Sequence, residues 1–343
     1  MVKVVETPLE GERLVRTDED EVNGFSWVQI VDRVDNLPLD YGSNEKFREN
    51  VYHLVTHTQI KVGFVLEFVV EELKAVCGSL FEEAFEADTA LKELRFKNPS
   101  FDGRNAQLDK IAKEMYLHSQ LEGIKGWRDE KYVVCDYDGP YVLLERAMAG
   151  LMGIITYGAH INGYVVDENT KSIKFWIPRR AATKPTWPLM LDNIIAGGLG
   201  YPCTIYETVL KESKEEANLD QEVIESNIKA AGVVSYLYFP VDIKDVTFKR
   251  EADFIVGEAE YIYDLKLSVD IIPTPNDGEV DSFNLLTLEQ TVKALVDGEF
   301  KPNCALIMVD FLVRHGYITP ENEPKFLQLV TRMHRMLPFP TLN

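Results

Sequence analysis

The apolar positions change period several times along the chain. Residues 1–60 mix short apolar runs with turn signals, and LPLDYGSNEKF reads as a loop entering a helix. Residues 60–76, IKVGFVLEFVVEELKAV, begin as a strand and end with helical spacing. From Asn105 onward, Leu108, Ile111 and Met115 recur at helical spacing behind a polar start. WRDEKYVVCDYDGPYVLLERAMAGLMGII predicts a strand, a turn at Asp138-Gly139-Pro140 and an apolar helix.

Near Tyr157 the pattern becomes sheet-like. INGYVVDENTKSIKFWIPRR predicts a hairpin, with its turn at Asp167–Lys171. LDNIIAGGLGYP predicts a strand running into a Gly-rich loop, and TIYETVLKESKEEANLD a helix with Ile205, Val209 and Leu210 on its apolar side. Strands follow around 231–239 and 253–267, then the loop IIPTPNDGEVDS, then a mostly helical C-terminal third. The succession predicts an α/β fold, a mixed sheet between helices over roughly residues 150–320. A smaller α+β region precedes it. The change of pattern near 145–150 places the boundary between domains 1–148 and 149–343.

The 343 residues suffice for one large or two ordinary domains. With 36 basic and 56 acidic residues the net charge is −20, which disfavours nucleic acid and anionic membrane as partners. A small anionic substrate stays compatible, because a metal ion and a few local cations can reverse the field at one pocket. Cys77, Cys135, Cys203 and Cys304 are far apart and form no CxxC pair, so neither zinc nor a disulfide framework is expected. No apolar run has the length of a signal peptide core or a membrane span, so the expectation is a reduced, cytoplasmic protein, monomeric or homodimeric.

Glu212, Glu215 and Glu216 stand at i, i+3 and i+4, so a helix places them on one face. Three like charges there repel unless water or a cation neutralises them. Hard divalent cations prefer carboxylate oxygens, and Mg²⁺ commonly joins a few carboxylates to substrate phosphates. A solvated helix face is the ordinary reading of such a cluster. Its position behind Ala196-Gly197-Gly198-Leu199-Gly200, where glycines permit close backbone approach, shifts the balance towards metal binding. Arg179, Arg180 and Lys184 form the densest basic group before this segment and are candidate diphosphate ligands. Trp176, Trp187 and Tyr201 are candidate stacking residues, although isolated aromatics more often belong to the core. His53, His57, His160 and His315 read as structural, and Cys203 as a small buried residue.

GGLGYPCTIYETVLKESKEEANL, over Gly197–Leu219, resembles a Nudix box: Gly-Gly, a short loop, and a helix carrying Arg-Glu-x-x-Glu-Glu-x-Gly. Lys211 stands where Arg is usual and Asn218 where Gly is usual, the loop is about one residue short, and its usual mid-loop Glu is missing. Asn can still adopt the left-handed conformation at a helix end. Lys keeps the charge but not the bidentate geometry. YGAHINGYV, WIPRRAATKPTWPLMLDNIIAGG, ETVLKESKEEA, NDGEVDSF and FKPNCALIMVDFLVRHGYI are similar to the thiamine-pyrophosphokinase-related Nudix proteins of fungi and plants. The resemblance covers nearly the whole chain. It implies a Mg²⁺- or Mn²⁺-dependent diphosphatase acting on thiamine diphosphate analogues, especially oxothiamine and oxythiamine diphosphate. Glu212, Glu215, Glu216 and the Gly197 region would hold metal, and one of these glutamates, or Glu279 from the later loop, would be the general base. Another nucleoside-diphosphate-type substrate, or a non-catalytic diphosphate-binding protein, remains open at this point.

Overall fold

The structure is a computed structural model that describes residues 2–7, 11–240 and 254–342. Its largest sheet has six strands. The long strand Ile155–Val166 lies at the centre, parallel to Val256–Lys266, which pairs antiparallel with Ile228–Tyr238. On its other edge Ile155–Val166 is shared. Its end forms the predicted hairpin with Ile173–Arg180, while its first half pairs with the short strand Ile195–Gly198. The hairpin arm therefore leaves the central strand after Phe175 and goes on to pair with Val280–Thr287. This splay leaves room for Gly197 and Gly198 beside Ala159 and Gly158.

Alternate residues of the central strands face two different cores. Ala159, Ile161, Val165, Trp176 and Leu265 pack against Val209 and Ala217 of the helix Ile205–Ala217. On the other face, Phe175, Ile177 and Ile262 pack under the helix Pro302–Arg314. That second core also takes in Leu14, Trp27 and Val31 from the start of the chain. The sheet between helices is thus the layered α/β arrangement that the periodicity implies.

A four-stranded sheet, built from Val51–Val55, Lys61–Leu66, Phe85–Asp88 and Glu93–Phe96, lies in the first half of the chain with the helix Phe101–His118. Its core is continuous with Ile155, Tyr157 and Leu237 of the large sheet. One predicted element is different. Residues after the Asp138-Gly139 turn form a strand, Gly139–Glu145, paired with Lys131–Asp136, and the apolar helix is only Ala149–Met152. The buried residues Tyr141, Val142 and Leu144 favour this pleated pairing, and Gly153 in the left-handed region ends the helix after one turn. The strand expected at 253–267 is observed from Val256 to Lys266, and residue 253 lies outside the described residues. Among the described residues no helix is long and apolar enough to cross a membrane.

Candidate active site

The helix Ile205–Ala217 opens with a reciprocal cap. The Thr204 side chain accepts from the Glu207 backbone N–H, and the Glu207 carboxylate accepts from the Thr204 N–H. The helix ends on Asn218, left-handed at φ 52°, as the sequence allowed. These two ends fix the register of Glu212 and Glu216 against the strand Ile195–Gly198.

Gly197 carries the geometry. A Cβ built there would lie 2.2 Å from Cγ and 2.6 Å from Cδ of Glu212, so the Glu212 side chain lies directly on the glycine backbone. One turn on, Glu216 is buried, and its Oε2 accepts from the Ala196 N–H at 2.9 Å. Burial, with Asp192 and Glu212 as like-charged neighbours, pushes the Glu216 carboxyl well above the usual carboxylate range. Burial also raises Glu212, although Lys211 at 3.3 Å opposes the shift. Glu215 is about half exposed and pairs with Lys211 at 3.6 Å.

A divalent cation fits this donor set. Glu216 is buried and Glu212 only 15% exposed at its side chain, the Glu212 charge adds to the rise of Glu216, and both lie against the strand that carries Gly197, so a cation there would relieve the cost. Among the described residues no three acidic, His or Cys side chains form a finished cluster.

The other expected residues are distributed unevenly. Arg180, Lys184, Glu216 and Glu279 line one small cavity with Asp192 and Asn193. Within it Arg180 is nearly buried and bound to Asp192 at 2.6 Å, while Lys184 is ion-paired with Glu279. Burial raises the Glu279 carboxyl, but the Lys184 bond and charge outweigh it and hold the group below its ordinary value. Arg179 points elsewhere, donating to the Leu189 carbonyl and standing 3.8 Å from Glu299. Trp187 lines a separate cavity of about 400 Å³ with Tyr236, Tyr238 and Glu258. Tyr201 is exposed and lines neither cavity, Trp176 is core, and Cys203 is exposed.

The sequence reading takes His160 as structural and does not single out the groups around it. His160 is buried, 3.5 Å from Glu260 and 2.9 Å from the Asn193 amide oxygen. Cys304 donates to Asp192 at 2.6 Å, so the network runs on to Arg180. Glu258 and Glu260 lie on the sheet face away from the helix Ile205–Ala217. Burial and the adjacent Glu260 raise Glu258, whereas the charge of His160 outweighs burial and lowers Glu260. Glu258 and Glu260 at i, i+2, on one face of a strand segment predicted from its apolar and aromatic residues, were the available signal. Arg128 and Arg146 line a cavity of about 260 Å³ that reaches Thr156, Thr186 and Glu258. In the sequence they are two unremarkable arginines on either side of a hairpin.

A family model described as a domain of unknown function (DUF4743) matches residues 29–156. Over 332 residues the chain is 64% identical to the uncharacterized protein YJR142W of Saccharomyces cerevisiae, covering 97% of both chains. It is 39% identical to Nudix hydrolase 20, chloroplastic, of Arabidopsis thaliana over 213 residues, which are 61% of this chain and 53% of the relative. For Nudix hydrolase 24, chloroplastic, of the same plant the identity is 38%, with 54% of the relative covered. The chain spans about half the length of these two plant relatives. Among solved structures, a Nudix hydrolase from M. smegmatis, RenU, matches with a TM-score of 0.34 and 11% identity, covering 56% of this chain and 98% of that one.

Proposed function

We propose that the chain is a Nudix-type hydrolase of phosphoanhydrides, and within that class a Mg²⁺- or Mn²⁺-dependent diphosphatase for thiamine diphosphate analogues, the oxidised forms above all; its 39% and 38% identity to two plant Nudix hydrolases supports the family. The observation that carries this reading is the clasp of Glu212 over Gly197 with Glu216 buried one turn on. Two carboxylates in that position are costly in a metal-free protein that only folds, and useful in one that binds a cation and a phosphate. In this reading residues 149–343 form the hydrolase domain, and residues 1–148 an accessory domain.

Glu212, Glu216 and the Gly197 carbonyl would hold the ion, with Glu215 drawn in from its pair with Lys211. Bound there, the ion would neutralise phosphate charge and acidify water. Glu279, which Lys184 holds below its ordinary carboxyl value and which shares a cavity with Glu216, would take a proton from the attacking water. Arg180 is committed to Asp192 and acts by holding the strand end rather than as a free phosphate ligand. Water attacks the terminal phosphorus, the bridging P–O bond breaks, and the products are the monophosphate and orthophosphate.

The thiamine assignment rests on the segments quoted above. The aromatic cavity around Trp187, Tyr236 and Tyr238 supports it by offering faces to a heterocycle. The test is kcat/KM on thiamine, oxothiamine and oxythiamine diphosphates, ADP, NADH and isopentenyl diphosphate. The proposal expects a thiamine compound to be turned over best. If ADP or NADH exceeds every thiamine compound tenfold, about 1.4 kcal/mol of transition-state discrimination, the substrate assignment falls while the hydrolase assignment stands.

A further inference from the structure

We propose that Arg128 and Arg146, contributed by the chain before the large sheet, form an anion subsite of this same active site, one that takes the phosphate next to the scissile one. The proposal rests on the diphosphatase reading and adds a role for the first part of the chain.

The two arginines are positioned together. Glu145 is buried, and its Oε1 accepts from the backbone N–H of Arg128 at 2.9 Å and of Ala147 at 3.5 Å. One carboxylate thus ties the backbone of Arg128 to the turn that carries Arg146. Its other oxygen, Oε2, is buried without a hydrogen-bond partner among the described residues. The hairpin Lys131–Asp136/Gly139–Glu145 brings Tyr132 alongside, with the Arg146 guanidinium 5.4 Å from the ring centre.

This assembly stands over the Gly-Gly strand. A Cβ on Gly198 would lie 2.1 Å from the Tyr132 hydroxyl oxygen and 3.6 Å from Cζ of Arg146. The neighbouring glycine, Gly197, is the one that Glu212 lies on, and the charge of Arg146 partly opposes the rise that burial causes in the Glu212 carboxyl. Arg128 stands 3.8 Å from Glu279, across from Glu216. Arg146 thus stands beside the Gly197–Gly198 strand and Arg128 beside Glu279, and both line the cavity of about 260 Å³.

Both retain donors. Buried Arg104 spends Nε, Nη1 and Nη2 on the carbonyls of Tyr141 and Asn98, as a structural arginine does. Among the described residues the Arg146 guanidinium makes one hydrogen bond, from Nη1 to the Glu130 carboxylate at 2.8 Å, and its side chain is 39% exposed. A guanidinium has five N–H donors, and two parallel ones match a phosphate. Glu122 and Glu258 also line the cavity and oppose an anion. Burial and Glu260 raise Glu258, which favours its neutral, hydrogen-donating form and reduces the repulsion.

The probe is methylenediphosphonate, a diphosphate that cannot be hydrolysed, titrated calorimetrically into the full-length chain with Mg²⁺. Arg146→Ala and Arg128→Ala should each weaken it at least about 10-fold, and Arg146→Lys should recover part of the loss. Orthophosphate, which reaches only the metal end, should bind all variants alike. Lys293→Ala, on an exposed helix face, is the neutral control. Arg128 is surface-accessible, so its variant keeps the test valid if Arg146→Ala unfolds. If both folded alanine variants bind the diphosphonate like wild type, the subsite is refuted and the hydrolase reading is untouched. If wild type itself does not bind the probe, both fall. If the arginines prove necessary for binding but no diphosphate is hydrolysed, the subsite stands and the hydrolase reading fails.

Discussion

Gly197 matters for what it lacks. Its backbone is an ordinary strand, so alanine is tolerable there conformationally, but the added methyl would occupy the space of Glu212 Cγ at 2.2 Å. The flexible carboxylate must swing away, and displacing a catalytic group by about 1 Å can cost on the order of 10²-fold. Gly197→Ala should therefore keep the fold, with a melting temperature near wild type, and lose about 10–10²-fold in kcat. Wild-type turnover in that variant would remove Glu212 from the chemistry. Asn218 makes the complementary point. It departs from the usual glycine, yet sits at φ 52° and donates from its backbone to the carbonyls of Ser213 and Lys214, so the box helix ends as a glycine would end it. Lys211 likewise keeps a cation beside Glu212 and Glu215.

Among the elements, the strand Val256–Lys266 is anchored as much by charge as by packing. Asp264 receives Arg314 at 2.6 and 3.0 Å and His315 at 2.9 Å, which joins the strand to the helix Pro302–Arg314. Burial raises the Asp264 carboxyl, but bonds and charges from His315 and Arg314 outweigh it and hold the group at about 2. A folded value below the unfolded one means that the unfolded chain takes up the proton first as pH falls. The contribution, roughly 2 kcal/mol, is complete above the unfolded value near pH 4 and lost towards pH 2. Denaturant unfolding of wild type and Asp264→Asn from pH 5 to pH 2 should show the gap between them closing by about that amount. A gap independent of pH would contradict the assignment. The same element shows where sequence reading stops. Period-2 and period-3.6 patterns, with Asn218 at the helix end, revealed the hairpin and the box helix, because each is set by residues close in sequence. The strand Gly139–Glu145 was misread because its apolar run continues into a real turn of helix. Arg179, Arg180 and Lys184 looked like one basic cluster, but adjacent strand residues point to opposite faces, and only Arg180 and Lys184 turn inward. Glu260 meeting His160, and Arg146 meeting Gly198, depend on register between distant strands that no local pattern records.

At the scale of the whole molecule, a chain of net charge −20 gathers Lys184, Lys211, Arg128 and Arg146 around one group of glutamates. The helix Ile205–Ala217 and the loop before Val280 supply the carboxylates, and the first part of the chain supplies two of the cations. The continuous core through Phe64, Ile155 and Leu237 holds those contributions in register. The central claim is that this assembly is a metal-dependent diphosphatase working through the carboxylates of the helix Ile205–Ala217. Its most direct measurement is orthophosphate release from oxothiamine diphosphate by wild type and Glu216→Gln, each in EDTA and then in excess Mg²⁺. The account predicts no turnover in EDTA, recovery of wild type with Mg²⁺, and at least about 10²-fold lower kcat for Glu216→Gln with its fold intact. Full turnover in EDTA, or a Glu216→Gln variant as fast as wild type, would contradict it.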